Sequence, residues 1–269
     1  MIKIPFIKMH GLGNDFVIIE QKDVPEHVSS KQLAIIISDR HLGIGCDQFI
    51  IYQPMSVKIK MEIYNNDGSR AMACGNASRC IARLLFDKTG KTKTILNIND
   101  REVICKYHTS ESIAVDMGEF SFEKSWMPKQ EQLWSIAEKY MIEPKEMLCV
   151  DVANPHLVIF SELSKKFQKT VGKNFQNSEL FPDGVNVSFA KIQGDDIKLK
   201  VWERGAGFTH ACGSGAIATF AAANKLAFVQ DKAKVKFEYG ELLMHKKNDS
   251  IIMSGPATYS FSGDFIYEG

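Results

Sequence analysis

Two hydrophobic periodicities alternate along the chain, and the alternation runs through twice. Residues 2–8 and 16–20 carry the apolar and alternating positions of strands, around a turn at Gly11-Leu12-Gly13-Asn14-Asp15. Leu33, Ile36 and Ile37 then share one helical face, predicting a helix capped by Ser29 or Ser30 and running to about Asp39. A glycine-rich turn, Gly43-Ile44-Gly45-Cys46-Asp47-Gln48, leads into a strand at Phe49–Tyr52, and residues 57–64 alternate as a half-buried strand. After a loop over Asn65–Ala73 the helical period returns from Cys74 or Gly75 to about Phe86, and Lys88-Thr89-Gly90 ends it. Three antiparallel strands follow within 93–122.

The same plan then repeats. Strands are predicted at 147–151 and 157–160, a helix at about 162–170, and strands at 185–190 and 196–202. A loop over 203–211, a helix over 213–226 and further strands complete the second copy. The repetition extends to single residues. The shift that carries Cys74 onto Cys212 also carries Ile59 to Ile197, Ile63 to Val201, Tyr64 to Trp202, Gln48 to Asn186 and Asn65 to Glu203. A shift two positions longer carries Asn14 to Asn154 and Phe16 to His156. Register kept over so many positions points to an internal duplication, and strands mixed with a long helix in each copy give an α+β class with pseudo-twofold symmetry. We expect an N-terminal domain over residues 1–119 and a C-terminal domain over 120–262, with 263–269 crossing back to complete the first. A helical stretch at 130–141, after Pro128 and Lys129, lies near the join.

Length and composition narrow the function. A chain of 269 residues suits two domains, and 45% hydrophobic with 24% charged residues is ordinary for a soluble protein. A net charge of +1 argues against nucleic acid or an anionic membrane as partner. No apolar run approaches a membrane span and the N-terminus lacks a signal-peptide layout, so the expected address is the cytoplasm. Six cysteines in this length are not a disulfide scaffold; none forms Cys-x-x-Cys or a metal-ligand spacing, so free thiols and no metal site are expected. Cys105 and Cys149, in apolar strand contexts, read as buried small hydrophobes.

Cys74 and Cys212 are different, because each precedes a glycine and a helical pattern. A sulfur at a helix N-terminus sits beside unpaired N–H groups and the positive end of the helix dipole, which lowers its pKa from about 8.5 toward neutrality. The same N–H groups can bind a carboxylate. Two such helices facing one another would hold a carboxylate and present one sulfur to each side of the adjacent carbon. One thiolate removes a proton and one thiol returns a proton, inverting the stereocentre. A single Cys-Gly before a helix is better explained by packing; the duplication and the matched polar residues favour chemistry. Asn14 and Asn154, Gln48 and Asn186, and Asn65 can hold the ammonium and carboxylate of an amino acid, although each singly is as well explained by turn chemistry. His156 and Glu203 break the symmetry and can settle the protonation of a nearby thiol. Arg204 is either a surface charge or a two-pronged clamp for a second, distal carboxylate.

The segments Gly11-Leu12-Gly13-Asn14-Asp15-Phe16, Gly43-Ile44-Gly45-Cys46-Asp47-Gln48, Cys74-Gly75-Asn76-Ala77-Ser78-Arg79-Cys80, Asn154-Pro155-His156, Gly184-Val185-Asn186-Val187, Glu203-Arg204-Gly205-Ala206-Gly207 and Ala211-Cys212-Gly213-Ser214-Gly215 together resemble the diaminopimelate epimerase family. The resemblance implies two similar domains, each a mixed or antiparallel sheet wrapped around a central helix, usually as a homodimer. It implies a cofactor-independent enzyme interconverting LL- and meso-diaminopimelate on the route to lysine and peptidoglycan. Carried over by motif, Cys74 and Cys212 are the acid/base pair, assisted by His156 and Glu203. Asn14, Gln48, Asn65, Gly75, Asn76, Asn154, Asn186, Arg204, Gly213 and Ser214 match substrate-binding positions. The chain departs from the family's pattern at Ala77 and Ala153, where Gly is usual, at Ser188, where Asn is common, and at Phe208, where Glu is usual. A racemase of the same fold acting on proline, hydroxyproline or another amino acid is the nearest alternative. A non-catalytic ligand-binding paralogue and a redox-sensing dithiol protein are the rivals from other classes.

Overall fold

The computed structural model describes residues 1–72 and 74–268. Ala73, in the loop before the first Cys-Gly, and Gly269, the last residue of the segment expected to cross back, lie outside them. Two compact units divide the chain, Met1–Asp116 with Gly255–Gly269, and Met117–Ser254.

In chain order the first plan comprises β1 (Ile2–Gly11), β2 (Asn14–Glu20), α1 (Ser30–Ser38), β3 (Gln48–Pro54), β4 (Ile59–Asn65), α2 (Gly75–Thr89), β5 (Lys93–Ile98), β6 (Arg101–Thr109) and β7 (Ser112–Glu119). A connecting helix, α3 (Gln130–Ala137), precedes the second plan. That plan comprises β8 (Met147–Asp151), β9 (Pro155–Ile159), α4 (Lys165–Gln176), β10 (Asn186–Gln193), β11 (Asp196–Glu203), β12 (Gly207–Phe208), α5 (Gly213–Lys225), β13 (Lys232–Phe237), β14 (Gly240–Lys247) and β15 (Ser250–Gly255). The chain ends with β16 (Thr258–Tyr267).

The duplication is written in the pairing. In the first unit the strands lie in chain order from β1 to β7, with β2 parallel to β3 and β4 parallel to β5 and every other step antiparallel. In the second, β8, β9, β10, β11, β13, β14 and β15 follow one another, with the parallel steps again second and fourth. A parallel step cannot be closed by a hairpin and needs a crossover. The four helices fill those places: α1 and α2 in the first unit, α4 and α5 in the second. The first unit carries an added edge, where β16 pairs antiparallel with β1.

The first sheet is covered on both faces at β2, whereas β6, β13 and β14 alternate buried and exposed positions. Phe16, Val17, Ile18 and Ile19 of β2 are all buried, a continuous rather than alternating pattern. On one face α1 packs Leu33, Ala34 and Ile37 against Val17, Ile19, Phe49 and Ile51. The central helix α2 packs on β1, β5 and β6, and α5 packs on β8 to β11, β13 and β14. From Ala216 to Ala223, α5 is buried without interruption, the signature of a helix enclosed by protein.

Two elements differ from the sequence reading. The helix expected at 162–170 forms at Lys165–Gln176, because the Ser164 side chain accepts from Phe167 N at 3.3 Å, and Val171 and Phe175 prolong the buried stripe. Within the loop expected at 203–211, Gly207–Phe208 pairs with Trp202 and Glu203 of β11. Gly205 and Gly207 make that reversal at φ 80° and 78°, where a side chain would be strained. Phe208 thereby stacks edge-on against Trp202, 5.2 Å between ring centroids, and joins Phe189 in the core. The departure at Phe208 is absorbed by packing.

Candidate active site

Both central helices start on a cysteine. Cys74 is the N-cap of α2 at φ −146°, and Cys212 is the N-cap of α5 at φ −125°. Gly215 N donates to Cys212 Sγ, and the extended backbone at each cap turns directly into a helix whose first-turn N–H groups have no intrahelical partner. Gly75-Asn76 and Gly213-Ser214 supply those groups. Gly215 is required here, since a Cβ on it would stand 2.8 Å from Val201 Cγ2 and 3.3 Å from Cys212 Sγ.

Strand register places the polar residues in matching rows. In the first unit Phe16, Gln48 and Asn65 lie abreast on β2, β3 and β4. In the second, His156 and Asn186 lie abreast on β9 and β10, and Glu203 ends β11. The sequence offsets therefore correspond to one address in each sheet.

In the first unit Cys74 Sγ donates to Asn14 Oδ1 at 3.7 Å, and Asn76 Nδ2 donates to the same oxygen at 3.1 Å. Asn14 Nδ2 donates to Asp47 Oδ2 at 3.0 Å, and Arg79, fully buried, donates to Asn76 Oδ1 at 2.8 Å. Arg40 spans Asp15 and Asp47, and Lys8 pairs with Asp15 at 2.6 Å. Burial alone would raise the Asp15 carboxyl, but hydrogen bonds from Arg40 and Lys8 hold it well below the usual range. Gln48 Nε2 donates to Asn65 Oδ1 at 3.0 Å, and Asn65 Nδ2 to Ser69 Oγ at 3.0 Å. Gln48 Oε1 is buried with no hydrogen-bond partner among the described residues.

The second unit surrounds its cysteine differently. Cys212 Sγ accepts from Gly215 N at 3.4 Å and lies 3.5 Å from Ser214 Oγ, which in turn lies 3.0 Å from His156 Nε2. The Glu203 carboxylate lies near enough to the Cys212 thiol to raise its pKa, and Thr209 Oγ1 donates to Glu203 Oε1. Asn186 ties the strand ends together: its Nδ2 donates to Pro155 O at 2.9 Å and its Oδ1 accepts from Arg204 N at 2.9 Å. The exposed Arg204 guanidinium donates to Asp183 O at 2.6 Å. Asn154 is half-buried in the turn before β9, next to Ala153, which holds φ 62°. An alanine there carries left-handed strain of about 1 kcal/mol that a glycine would not.

Electrostatics correct one expectation. A helix start alone lowers a thiol pKa, yet burial pushes Cys212 well above its ordinary value and the Glu203 carboxylate adds to it. Desolvation and a neighbouring anion outweigh the helix terminus, so Cys212 is a thiol at neutral pH. Burial also pushes His156 down to about 3, with the Arg204 charge contributing, so the imidazole is neutral. Burial drives Cys80, Cys105 and Cys149 up to about 12, as befits packing cysteines. All six cysteines are free.

The structure thus joins Cys74, Asn14 and Asn76 in one network, Gln48 and Asn65 in a second, and Cys212, Ser214, His156 and Glu203 in a third. Asp47, Arg79 and Thr209 were not singled out from the sequence as site residues. Arg79 left a signal: a guanidinium on the buried stripe of a helix, three residues after an asparagine.

The sequence model of the family described as diaminopimelate epimerase matches residues 6–123 and 148–260. A diaminopimelate epimerase of Rickettsia felis is 49% identical over 266 residues, covering 99% of this chain and 98% of that protein. One of Rickettsia bellii is 50% identical over 266 residues, 99% of each. Among solved structures, a phenazine biosynthesis protein of the PhzF family from Bacillus anthracis superimposes with a TM-score of 0.71 at 12% identity, covering 99% of this chain and 100% of that one. A hydroxyproline epimerase from Agrobacterium vitis, with trans-4-hydroxy-L-proline bound, does so at 0.67 and 10% identity, covering 98% and 92%. At those identities the two structures show a shared fold.

Proposed function

The chain belongs to the diaminopimelate epimerase family, and from that premise we propose that it interconverts LL- and meso-diaminopimelate with Cys74 and Cys212 as its acid/base pair. The observation that carries this reading is the pair of central helices that each begin on a cysteine, flanked by polar rows in matching register. In one direction the Cys74 thiolate takes the proton from the substrate α-carbon, and the Cys212 thiol donates a proton to the opposite face. The sulfurs exchange protonation states, and the reverse reaction uses them in the opposite roles. The N–H groups of Gly75-Asn76 and Gly213-Ser214 hold the α-carboxylate as negative charge develops next to it.

Cys212 holds its proton because it is desolvated beside Glu203, which suits it to act as the acid. Glu203 rather than His156 governs that proton: an imidazole pushed down to about 3 is a poor acceptor at neutral pH, and its contact with Ser214 makes it a positioning group. The amides of Asn14, Gln48, Asn65, Asn154 and Asn186 bind substrate polar groups without competing for the proton in transit. The same reading includes a cytoplasmic homodimer and no cofactor.

The test is incubation with LL-diaminopimelate in deuterated water, in metal-free buffer without pyridoxal phosphate. Meso product carrying deuterium at the inverted carbon is expected. Faster turnover of an amino acid with one charged end, such as proline or hydroxyproline, sinks the substrate assignment.

Arg204 separates binding from chemistry. As the clamp for the distal carboxylate, its loss in Arg204→Ala should raise KM by about 10- to 100-fold, the worth of a charge-assisted hydrogen bond, with kcat changed far less. Steady-state kinetics with diaminopimelate read the two constants separately. A kcat loss that equals or exceeds the KM change assigns Arg204 elsewhere.

A further inference from the structure

The amides beside Cys74 form a chain with an ion at each end, and the two ions have opposite hydrogen-bonding sense. At one end Arg79, a donor only, gives a hydrogen bond to Asn76 Oδ1 at 2.8 Å. Asn76 must therefore turn its NH₂ outward, and it donates to Asn14 Oδ1 at 3.1 Å. At the other end the Asp47 carboxylate, an acceptor only, takes the Asn14 NH₂ at 3.0 Å. Neither amide can flip without placing donor against donor or acceptor against acceptor. The Asn14 carbonyl is left facing Cys74 Sγ at 3.7 Å.

Both ends are anchored. Asp47 Oδ2 also accepts from Asp15 N at 3.2 Å, its Oδ1 accepts from Arg40 at 2.8 Å, and its N–H donates to Asp15 Oδ1 at 2.9 Å. Arg79 is fully buried and donates through Nε to Pro256 O at 3.0 Å. Gly11 makes room for it, since a Cβ there would stand 2.9 Å from Arg79 Nη2 and 3.2 Å from Asn76 Cβ.

Resting on the reading that Cys74 carries chemistry, we propose that Asp47 and Arg79 are positioning residues that fix the sense of the Asn14 amide and so aim its carbonyl at the Cys74 sulfur. A carbonyl in that place accepts from the thiol and gives nothing to the thiolate. The thiolate, once formed, is left without a side-chain donor from Asn14 and is the stronger base for it. The charged and titratable groups around the chain include Lys8 and His10 of β1, Asp15 of β2, Arg40, Asp47, Arg79, Cys80 and Arg83 of α2, and Cys105 of β6.

The test is the pH midpoint of Cys74 alkylation by iodoacetamide, read by peptide mass mapping on the whole chain without substrate. In Asp47→Ala the Asn14 amide is released and can present its NH₂ to the sulfur, so the midpoint should fall by roughly half a unit to one unit. Asp47→Glu, which keeps the acceptor, should recover part of the shift. The same comparison in an Asn14→Ala background closes a double-mutant cycle. There Asp47→Ala should shift the midpoint little, because the relay is already cut. An unchanged midpoint in the first comparison, or an equal shift in the Asn14→Ala background, overturns the proposal, the latter assigning the effect to through-space charge. Arg79→Lys, which keeps a donor-only cation, gives the same reading from the other end and should leave the midpoint near that of the parent. The alkylation midpoint is independent of turnover. A protein without epimerase activity that still shows the shift refutes the function and keeps the relay.

Discussion

Cys74→Ala and Cys212→Ala should each lower epimerisation of diaminopimelate by about 10³-fold or more, the scale of losing an essential acid or base. The more telling result concerns isotope exchange. The proposed mechanism dedicates two bases to opposite faces of one carbon, so each variant should keep a single sulfur able to remove the proton from one stereoisomer and return a deuteron to the same face. Cys74→Ala should wash deuterium into one stereoisomer without inverting it, and Cys212→Ala into the other. Mass spectrometry of recovered LL- and meso-substrate reads both. Exchange confined to the same stereoisomer in both variants contradicts a division of labour, and full activity in either removes that sulfur from the chemistry. Cys212 is buried whereas Cys74 is half-buried, so thermal melting should accompany the assay to separate lost chemistry from lost packing.

Glu203→Gln should cost about 10²-fold in kcat/KM and should also move the pH profile. The direction follows from charge. A carboxylate beside Cys212 penalises the thiolate, and it lies next to burial among the causes that raise that thiol. Removing the negative charge lowers the Cys212 pKa, so the thiol needed as acid is lost at lower pH. The alkaline limb of kcat/KM, in the direction that uses Cys212 as acid, should therefore move down. His156→Asn makes the contrast: it disturbs Ser214 positioning, but a neutral imidazole contributes no charge, so that limb should stay in place. A Glu203→Gln profile that keeps the parent limb while losing rate assigns Glu203 to geometry alone.

Local chemistry was legible along the chain to an unusual degree, because the duplication let each half check the other. Asn14 against Asn154, Gln48 against Asn186 and Asn65 against Glu203 are ambiguous turn or strand residues when taken one at a time. Their common offset identifies one address in two copies, and strand register puts Gln48 beside Asn65 and His156 beside Asn186 accordingly. The four crossover helices were visible through their period, since a parallel step demands a connection long enough to hold one. The Ser164 cap and the two-residue strand at Gly207–Phe208 were missed because short-range signals compete there, and tertiary pairing decided between them.

Sequence by itself determined the doubled α+β plan, the two cysteines at helix starts and the family, since all three depend on order and spacing. Tertiary structure alone decided how Cys212 ionises and what holds each of the two cysteines. A helix N-terminus is a local feature that argues for thiolate, whereas burial and an anion contributed by the end of another strand argue for thiol. Only the folded chain sets their relative size, and at Cys212 desolvation wins. The polarity of the Asn14 amide is of the same kind: Asp47 and Arg79 stand 32 residues apart in the chain, and their opposing hydrogen-bond senses meet only once β2, β3 and α2 are packed together.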